Sequence, residues 1–284
     1  MPEGVLSASS NVVALQASLL GLGFASTGGL GQRVTGSRNE IWYCHAFDQH
    51  GDGVMLYVKL GLPVRAMLVE ALAAQVASAI GLKSPPPFLC QLQPHHVGRP
   101  RGQRFIAFAS AAAGERGLAR PLRNLDALLQ MLSANKVSDL ACVFDEWIAN
   151  DVRSPSDILI CPEQGPIFID HEAALPEGGD PAGSFTNWLA GRLIDGMDLR
   201  ERQQLLVRLR KRCAALYRLR MDSPPVVLAV VQGGATLYAE LVAFLHERLA
   251  HLDRLLSERT VPEQQYLVPL PTSTVSPEPP HAAV

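Results

Sequence analysis

The sequence predicts an α+β protein in two lobes, a small β-rich lobe followed by a larger helical one. Three observations carry that expectation. Residues Ile41–Phe47 and Val54–Leu60 are β-prone runs joined by Asp48-Gln-His-Gly-Asp-Gly53, whose Asp-Gly suits a hairpin turn. From about Asn124 onward, apolar residues recur at helical spacing. Within that helical half lies Phe144–Leu175, FDEWIANDVRSPSDILICPEQGPIFIDHEAAL, where two short strands and a turn are flanked by acidic groups. The expected boundaries are 1–113 for the β-rich lobe, 114–260 for the helical lobe and 261–284 for a tail.

In chain order, the Ile41–Phe47 and Val54–Leu60 hairpin comes first. Arg65–Ile80 follows as a helix, with Leu68, Leu72, Val76 and Ile80 on one stripe and Gly81 as its C-terminal cap. Pro85–Pro87 breaks the chain, and Arg104–Phe108 forms another strand. Leu125–Leu132 and Val137–Ala149 are amphipathic helices. The second of these ends in a polar cluster, Asn150, Asp151, Arg153 and Asp157. Strand Ile158–Cys161, a Pro-Glu-Gln-Gly turn and strand Ile167–Ile169 then lead directly into Asp170. Arg200–Leu219, basic on its outer face, and Leu237–Leu256 are the remaining helices. Beyond Val261 the chain turns rich in Pro, Ser and Thr (VPLPTSTVSPEPP), the composition of a disordered tail. There is no internal repeat.

Composition excludes several function classes. A chain of 284 residues buries a sizeable core, and a net charge of -2 gives no electrostatic case for nucleic acid or an anionic membrane. The 5 cysteines are scattered, odd in number and without a Cys-x-x-Cys pair, so they read as small hydrophobes in a reducing compartment. The start MPEGVLSASS lacks the basic and apolar regions of a signal peptide, and the most apolar runs are too short to span a bilayer. A cytoplasmic protein is expected.

Two lone residues suggest chemistry. Lys59 ends an apolar strand, where an unpaired ammonium is costly to bury. Taken alone it reads as a surface lysine on an edge strand. Glu70, between Val69 and Ala71 on the next helix, can turn back toward the sheet and pair with it. A strand lysine held by a helix glutamate is the arrangement that grips the α- and β-phosphates of ATP in protein kinases. Upstream, Thr35-Gly36-Ser37-Arg38-Asn39 can offer backbone N–H groups to phosphates, or serve as an ordinary turn. The Gly21-Leu-Gly23 pattern does not open a dinucleotide-binding helix, because Gly28, Gly29, Gly31 and Gly36 follow it. His95 and His96 lie in a Pro-flanked loop as exposed residues, and no serine sits in a Gly-x-Ser-x-Gly frame.

In this order, the blocks resemble HipA-like kinases of the short-chain type. Gly36-Ser37-Arg38 precedes the hairpin, the strand ends Tyr57-Val58-Lys59, and the helix carries Leu68-Val69-Glu70. Then come Phe144-Asp145-x-Trp147-x-x-Asn150, Ile169-Asp170-His171 and a fainter Phe244-Leu-x-x-Arg248-Leu. The resemblance implies a protein-kinase-like fold and ATP with Mg²⁺ as cofactors. Lys59 would bind the phosphates, assisted by Gly36, Ser37 and Arg38, and Glu70 would orient Lys59. Asp157 and Asp170 would hold the metal, Asp157 standing where the family has asparagine. Asn150, Asp151 and Arg153 would form the catalytic loop.

One position departs from the pattern. The family motif is Asn-x-Asp-Arg, and here the register reads Asn150-Asp151-Val152-Arg153, so valine stands at the catalytic aspartate. Valine cannot accept a proton, and Asp151 is one residue early. The expectation is therefore a kinase acting on a protein Ser/Thr or another macromolecular acceptor, with Asp151 covering for the missing base. The alternative is a pseudokinase that binds nucleotide or a regulatory partner protein. A small-molecule phosphotransferase on the same fold is a third reading. Neither nucleic acid nor membrane is an expected partner, and the sequence sets no oligomeric state.

Overall fold

The structure is a computed structural model that describes residues 21–113, 119–221 and 224–262; the expected tail beyond residue 262 lies outside the described residues. Six strands make the first sheet: β1 (Gly23–Thr27), β2 (Gln32–Val34), β3 (Glu40–Asp48), β4 (Gly53–Leu60), β5 (Pro87–Leu92) and β6 (Phe105–Ala111). Their order is β1-β5-β6-β4-β3-β2, and β1 also pairs with β3, which closes the sheet into a ring. β1 runs parallel to β5, while the β3–β4, β4–β6 and β5–β6 pairs are antiparallel.

The ring closes tightly because small side chains point inward. Ala25, Ala46, Ala107 and Ala109 lie there with Cys44 and Cys90. Burial pushes the Cys44 thiol up to about 11 and Cys90 up to about 12, so both stay protonated and inert, as small hydrophobes do. Leu56, Val58 and Leu60 of β4 also face inward, which turns Tyr57 and Lys59 to the other face by strand alternation. Lys59 sits in register with Ile41 on one side and Phe108 on the other, so β4 is a central strand and not the edge strand of the simplest reading.

Helix α1 (Val64–Ala79) packs against β5 and β6, with every residue from Met67 to Ala77 buried. It ends as expected at Gly81: Gly81 N–H donates to Ser78 O and Leu82 N–H to Ala77 O, with Gly81 at φ +92. That double bond pattern needs a left-handed residue, which glycine supplies without a steric cost. Strand β5 was not anticipated, because Pro85–Pro87 reads as a break. Pro87 is instead the first strand residue, a position where its missing N–H is tolerated.

The C-terminal half is helical: α2 (Leu125–Ala134), α3 (Ser138–Trp147), α4 (Trp188–Ile194), α5 (Leu199–Leu216) and α6 (Gly234–Thr260). Asn124 caps α2 by accepting from Ala127 N–H at 3.0 Å. Asp198 and Glu201 exchange bonds across the first turn of α5. A second, three-stranded sheet joins β7 (Arg120–Pro121), which precedes α2, to β8 (Ile158–Cys161) and β9 (Gly165–Phe168), which lie between α3 and α4 in sequence. Fully buried Trp147 closes the α3–α6 contact, its indole N–H donating to Leu245 O at 2.8 Å. One apolar core joins α1 to all the helices of the C-terminal half, and a separate one fills the ring. No helix among the described residues is long and apolar enough to cross a membrane.

Candidate active site

Lys59 reaches from β4 into a cluster of carboxylates gathered from both halves. Its ammonium donates to Glu70 on α1, to Asp170 just after β9, and to Glu172 Oε2 at 3.1 Å. The Lys59 and Glu70 side chains are 11% and 3% exposed, whereas Asp170 is 41% and Glu172 24% exposed, so the cluster opens on the Asp170 side. Burial pulls the Lys59 pKa down, but Glu70, Asp170 and Glu172 outweigh it and hold the ammonium above its usual value. Burial pushes Glu70 up, against the pull of Lys59 and of a backbone bond from His171.

Asp170 is fixed by bonds on either side of it. Its φ of +63 is unusual for a residue with a side chain, though Asp tolerates it better than most. Ile169 N–H donates to Asp157 O at 2.9 Å, and Arg153 Nη1 donates to Ile169 O at 2.7 Å. On the other side His171 N–H donates to Glu70 Oε2 at 2.8 Å. Glu70 therefore holds Lys59 with one oxygen and the Asp170 segment with the other. Such cross-bracing is what a sparsely populated backbone conformation requires in order to persist.

Arg153 organises the floor beneath. It is buried against Asp145 of α3, with Nη2 to Oδ1 at 3.0 Å, and its Nη2 also lies 2.8 Å from His171 Nδ1. A guanidinium only donates, so Nδ1 is the acceptor and the imidazole proton sits on Nε2. Burial, then the charges of Arg153 and Lys59, hold His171 well below its usual pKa, so it stays neutral. His171 Nε2 and both polar atoms of the Asn150 side chain are buried with no hydrogen-bond partner among the described residues.

The fold thus brings Lys59, Glu70 and Asp170 together. Gly36, Ser37 and Arg38 lie in the exposed β2–β3 loop, along a depression of about 350 Å³ lined by residues 33–40, with Gly36 at φ +84. The end of that loop is tied to the site, because Asn39 Nδ2 donates to both Glu172 oxygens at 2.8 Å. Asp157 is half-buried, and its Oδ2 accepts from Ser154 N–H at 2.7 Å in a capping box. Asp151 is exposed, and Val152 beside it is 54% exposed. Asn150 and Arg153, expected in the catalytic loop, are buried at 1% and 4% exposure, and Arg153 braces the segment on either side of Asp170.

Glu172, and the pairing of Asn39 with it, escaped the sequence reading. The available signal was Asp-His-Glu at 170–172, a second carboxylate two residues beyond the first. Ligand oxygens of Glu70, Asp170 and Glu172 lie within 4.8 Å of one another, close enough to share one divalent cation, and Asp157 stands outside that set. The ammonium of Lys59 at the same point suits a phosphate oxygen. The donor set therefore fits a metal–polyphosphate pair.

No family model matches the chain, and no curated protein matches it. Among solved structures, the chain is similar to a Helicobacter pylori proinflammatory kinase, CtkA, at 12% sequence identity and a TM-score of 0.46, over 84% of this chain and 98% of that one.

Proposed function

We propose that the protein is an ATP- and Mg²⁺-dependent phosphotransferase of two-lobed, kinase-like architecture, acting on a protein Ser/Thr or another macromolecular acceptor. The observation that carries this reading is the Lys59–Glu70–Asp170 constellation, assembled from a central strand, the following helix and the end of a hairpin. Glu70 orients Lys59 toward the phosphates, and Asp170 presents a carboxylate oxygen to the metal. The 35–39 loop is tied to the same cluster through Asn39 and Glu172, and in this reading its backbone N–H groups serve phosphate oxygens. Mg-ATP supplies the transferable phosphoryl group and the charge neutralisation; the chain supplies position and field, the main contributions to this chemistry. In this reading exposed Asp151 orients the acceptor hydroxyl.

Val152 favours a second reading. It points into solvent at 54% exposure where the HipA-like pattern has its catalytic aspartate, so a nucleotide-binding pseudokinase shares the same geometry. Incubation with radiolabelled ATP and Mg²⁺, with a generic protein acceptor and without one, separates the two. Label transfer that is lost in Asp151→Ala and in Asp170→Ala supports the kinase. Tight Mg-ATP binding without transfer selects the pseudokinase, and absence of both binding and transfer removes the reading altogether.

A further inference from the structure

The latch between Glu172 and the β2–β3 loop has a consequence for which form of nucleotide the site accepts. Glu172 lies two residues beyond Asp170 and makes two contacts at once. It accepts both bonds from Asn39, the last residue before β3, and takes a third share of Lys59. Asn39 and Glu172 are 133 positions apart in sequence, so this latch joins the loop that would cover phosphates to the segment that would hold metal.

The charge count decides what the latch does. One ammonium faces the carboxylates of Glu70, Asp170 and Glu172, which leaves the cluster two negative charges in excess. Without Glu172 the excess would be one. A bare polyphosphate entering this cluster meets repulsion and must also take Lys59 from three competitors. A divalent cation on the carboxylates cancels the excess and frees Lys59 for phosphate.

We propose that Glu172 is a specificity-determining residue that restricts this site to metal-loaded nucleotide, by holding Lys59 and the 35–39 loop in a closed arrangement until a divalent cation is present. The inference rests on the nucleotide-binding reading above and adds a regulatory residue to it. Glu172→Gln keeps one oxygen to accept from Asn39 and removes the charge together with the second Asn39 bond. Asn39→Ala keeps the charge and removes only the tether.

Two measurements on the full-length protein test the proposal. The first is amide hydrogen exchange at residues 35–39 without nucleotide. Asn39→Ala should raise it about tenfold, and Glu172→Gln should raise it less. The second is calorimetric affinity for ATP in Mg²⁺ and in EDTA. Glu172→Gln should bind ATP in EDTA about tenfold more tightly than wild type, the scale expected for removing one nearby charge. Asn39→Ala should shift the ratio of the two affinities in the same direction but by less, because it opens the loop and leaves the charge. An unchanged ratio in Glu172→Gln, with wild type binding Mg-ATP normally, overturns this inference and spares the function. A wild type that binds no ATP in either condition, with the exchange pattern as expected, overturns the nucleotide reading and this inference with it, while leaving the latch as a structural feature.

Discussion

Two buried charge clusters in this protein are built in opposite ways. Around Lys59, one cation faces three carboxylates, and two of those carboxylates are reachable from solvent. Around Glu146 of α3, one carboxylate faces two guanidiniums, Arg248 and Arg259 of α6, with Glu146 and Arg248 wholly enclosed. Asn187 donates to Glu146 as well, at 3.2 Å. Arg248 spends its remaining donors on carbonyls: Glu146 O at 2.7 Å, Pro181 O at 2.9 Å and Gly183 O at 2.8 Å. Burial pushes Arg248 down to about 10, with Glu146 opposing, so it remains charged at neutral pH. This second cluster is saturated and closed, and it fastens the loop after Leu175 onto α6. The first is open, with its negative excess reachable from solvent through Asp170 and Glu172. Excess charge with access is what separates a place for chemistry from a place for scaffolding.

The contrast can be broken most forcefully at Glu146. Glu146→Ala leaves two guanidiniums without their carboxylate, one of them fully buried, and should cost about 3–5 kcal/mol in chemical denaturation. A loss below about 1 kcal/mol would mean that the cluster does not stabilise the fold. Lys59→Met should cost less, about 1–3 kcal/mol, because Asp170 and Glu172 can turn toward water. It should also remove ATP binding, which Glu146→Ala at a permissive temperature should not. In Lys59→Met, burial and the nearby Asp170 charge push Glu70 up against only the backbone bond from His171, so its folded pKa lies further above the unfolded value of 4.5. A raised carboxylate favours the native state as pH falls, so the deficit against wild type should shrink toward pH 4.

His171 gives a smaller and distinct signature. Its folded pKa lies well below 6.5, so the unfolded chain takes up a proton that the native state refuses. Stability should therefore be undiminished by this group above pH 6.5 and should fall below it, by up to about 1.4 kcal/mol for each pH unit. His171→Gln should flatten the acid limb by that amount, and an unchanged slope would show that His171 is protonated in the folded protein. The smallest effect on stability belongs to Val152→Asp, within about 0.5 kcal/mol at so exposed a position. If the site is catalytic and lacks only its base, the same change should raise phosphoryl transfer by about a hundredfold.

The parts of this picture that rest on local pattern were legible in the sequence. The β3–β4 hairpin, α1 with its Gly81 ending, and strand β8 follow from propensity and turn chemistry within a few residues. The Lys59–Glu70 pair was legible because 11 residues separate its members, across one strand end and one helix. Ring closure was not, since β1 meets β3 and β5 through pairings that no local signal encodes. Neither was the Asn39–Glu172 latch, nor the grip of Arg248 on Glu146 across 102 positions. Asp157 shows the limit of reasoning by position: it lies beside the Asp170 segment, yet its side chain caps a 3₁₀ turn. Short α4 carries too few residues for a period to show.

In the proposed function the open Lys59 cluster binds a metal–nucleotide pair and the closed Glu146 cluster does not. Thermal unfolding with ATP and Mg²⁺, with ATP and EDTA, and without ligand, in wild type and in Asp170→Ala, tests it most directly. A ligand that binds only the native state raises its stability in proportion to occupancy. Wild type should shift by several degrees with ATP and Mg²⁺ and much less in EDTA, and Asp170→Ala should not shift. No shift in wild type at millimolar Mg-ATP, or an equal shift in Asp170→Ala, would contradict it.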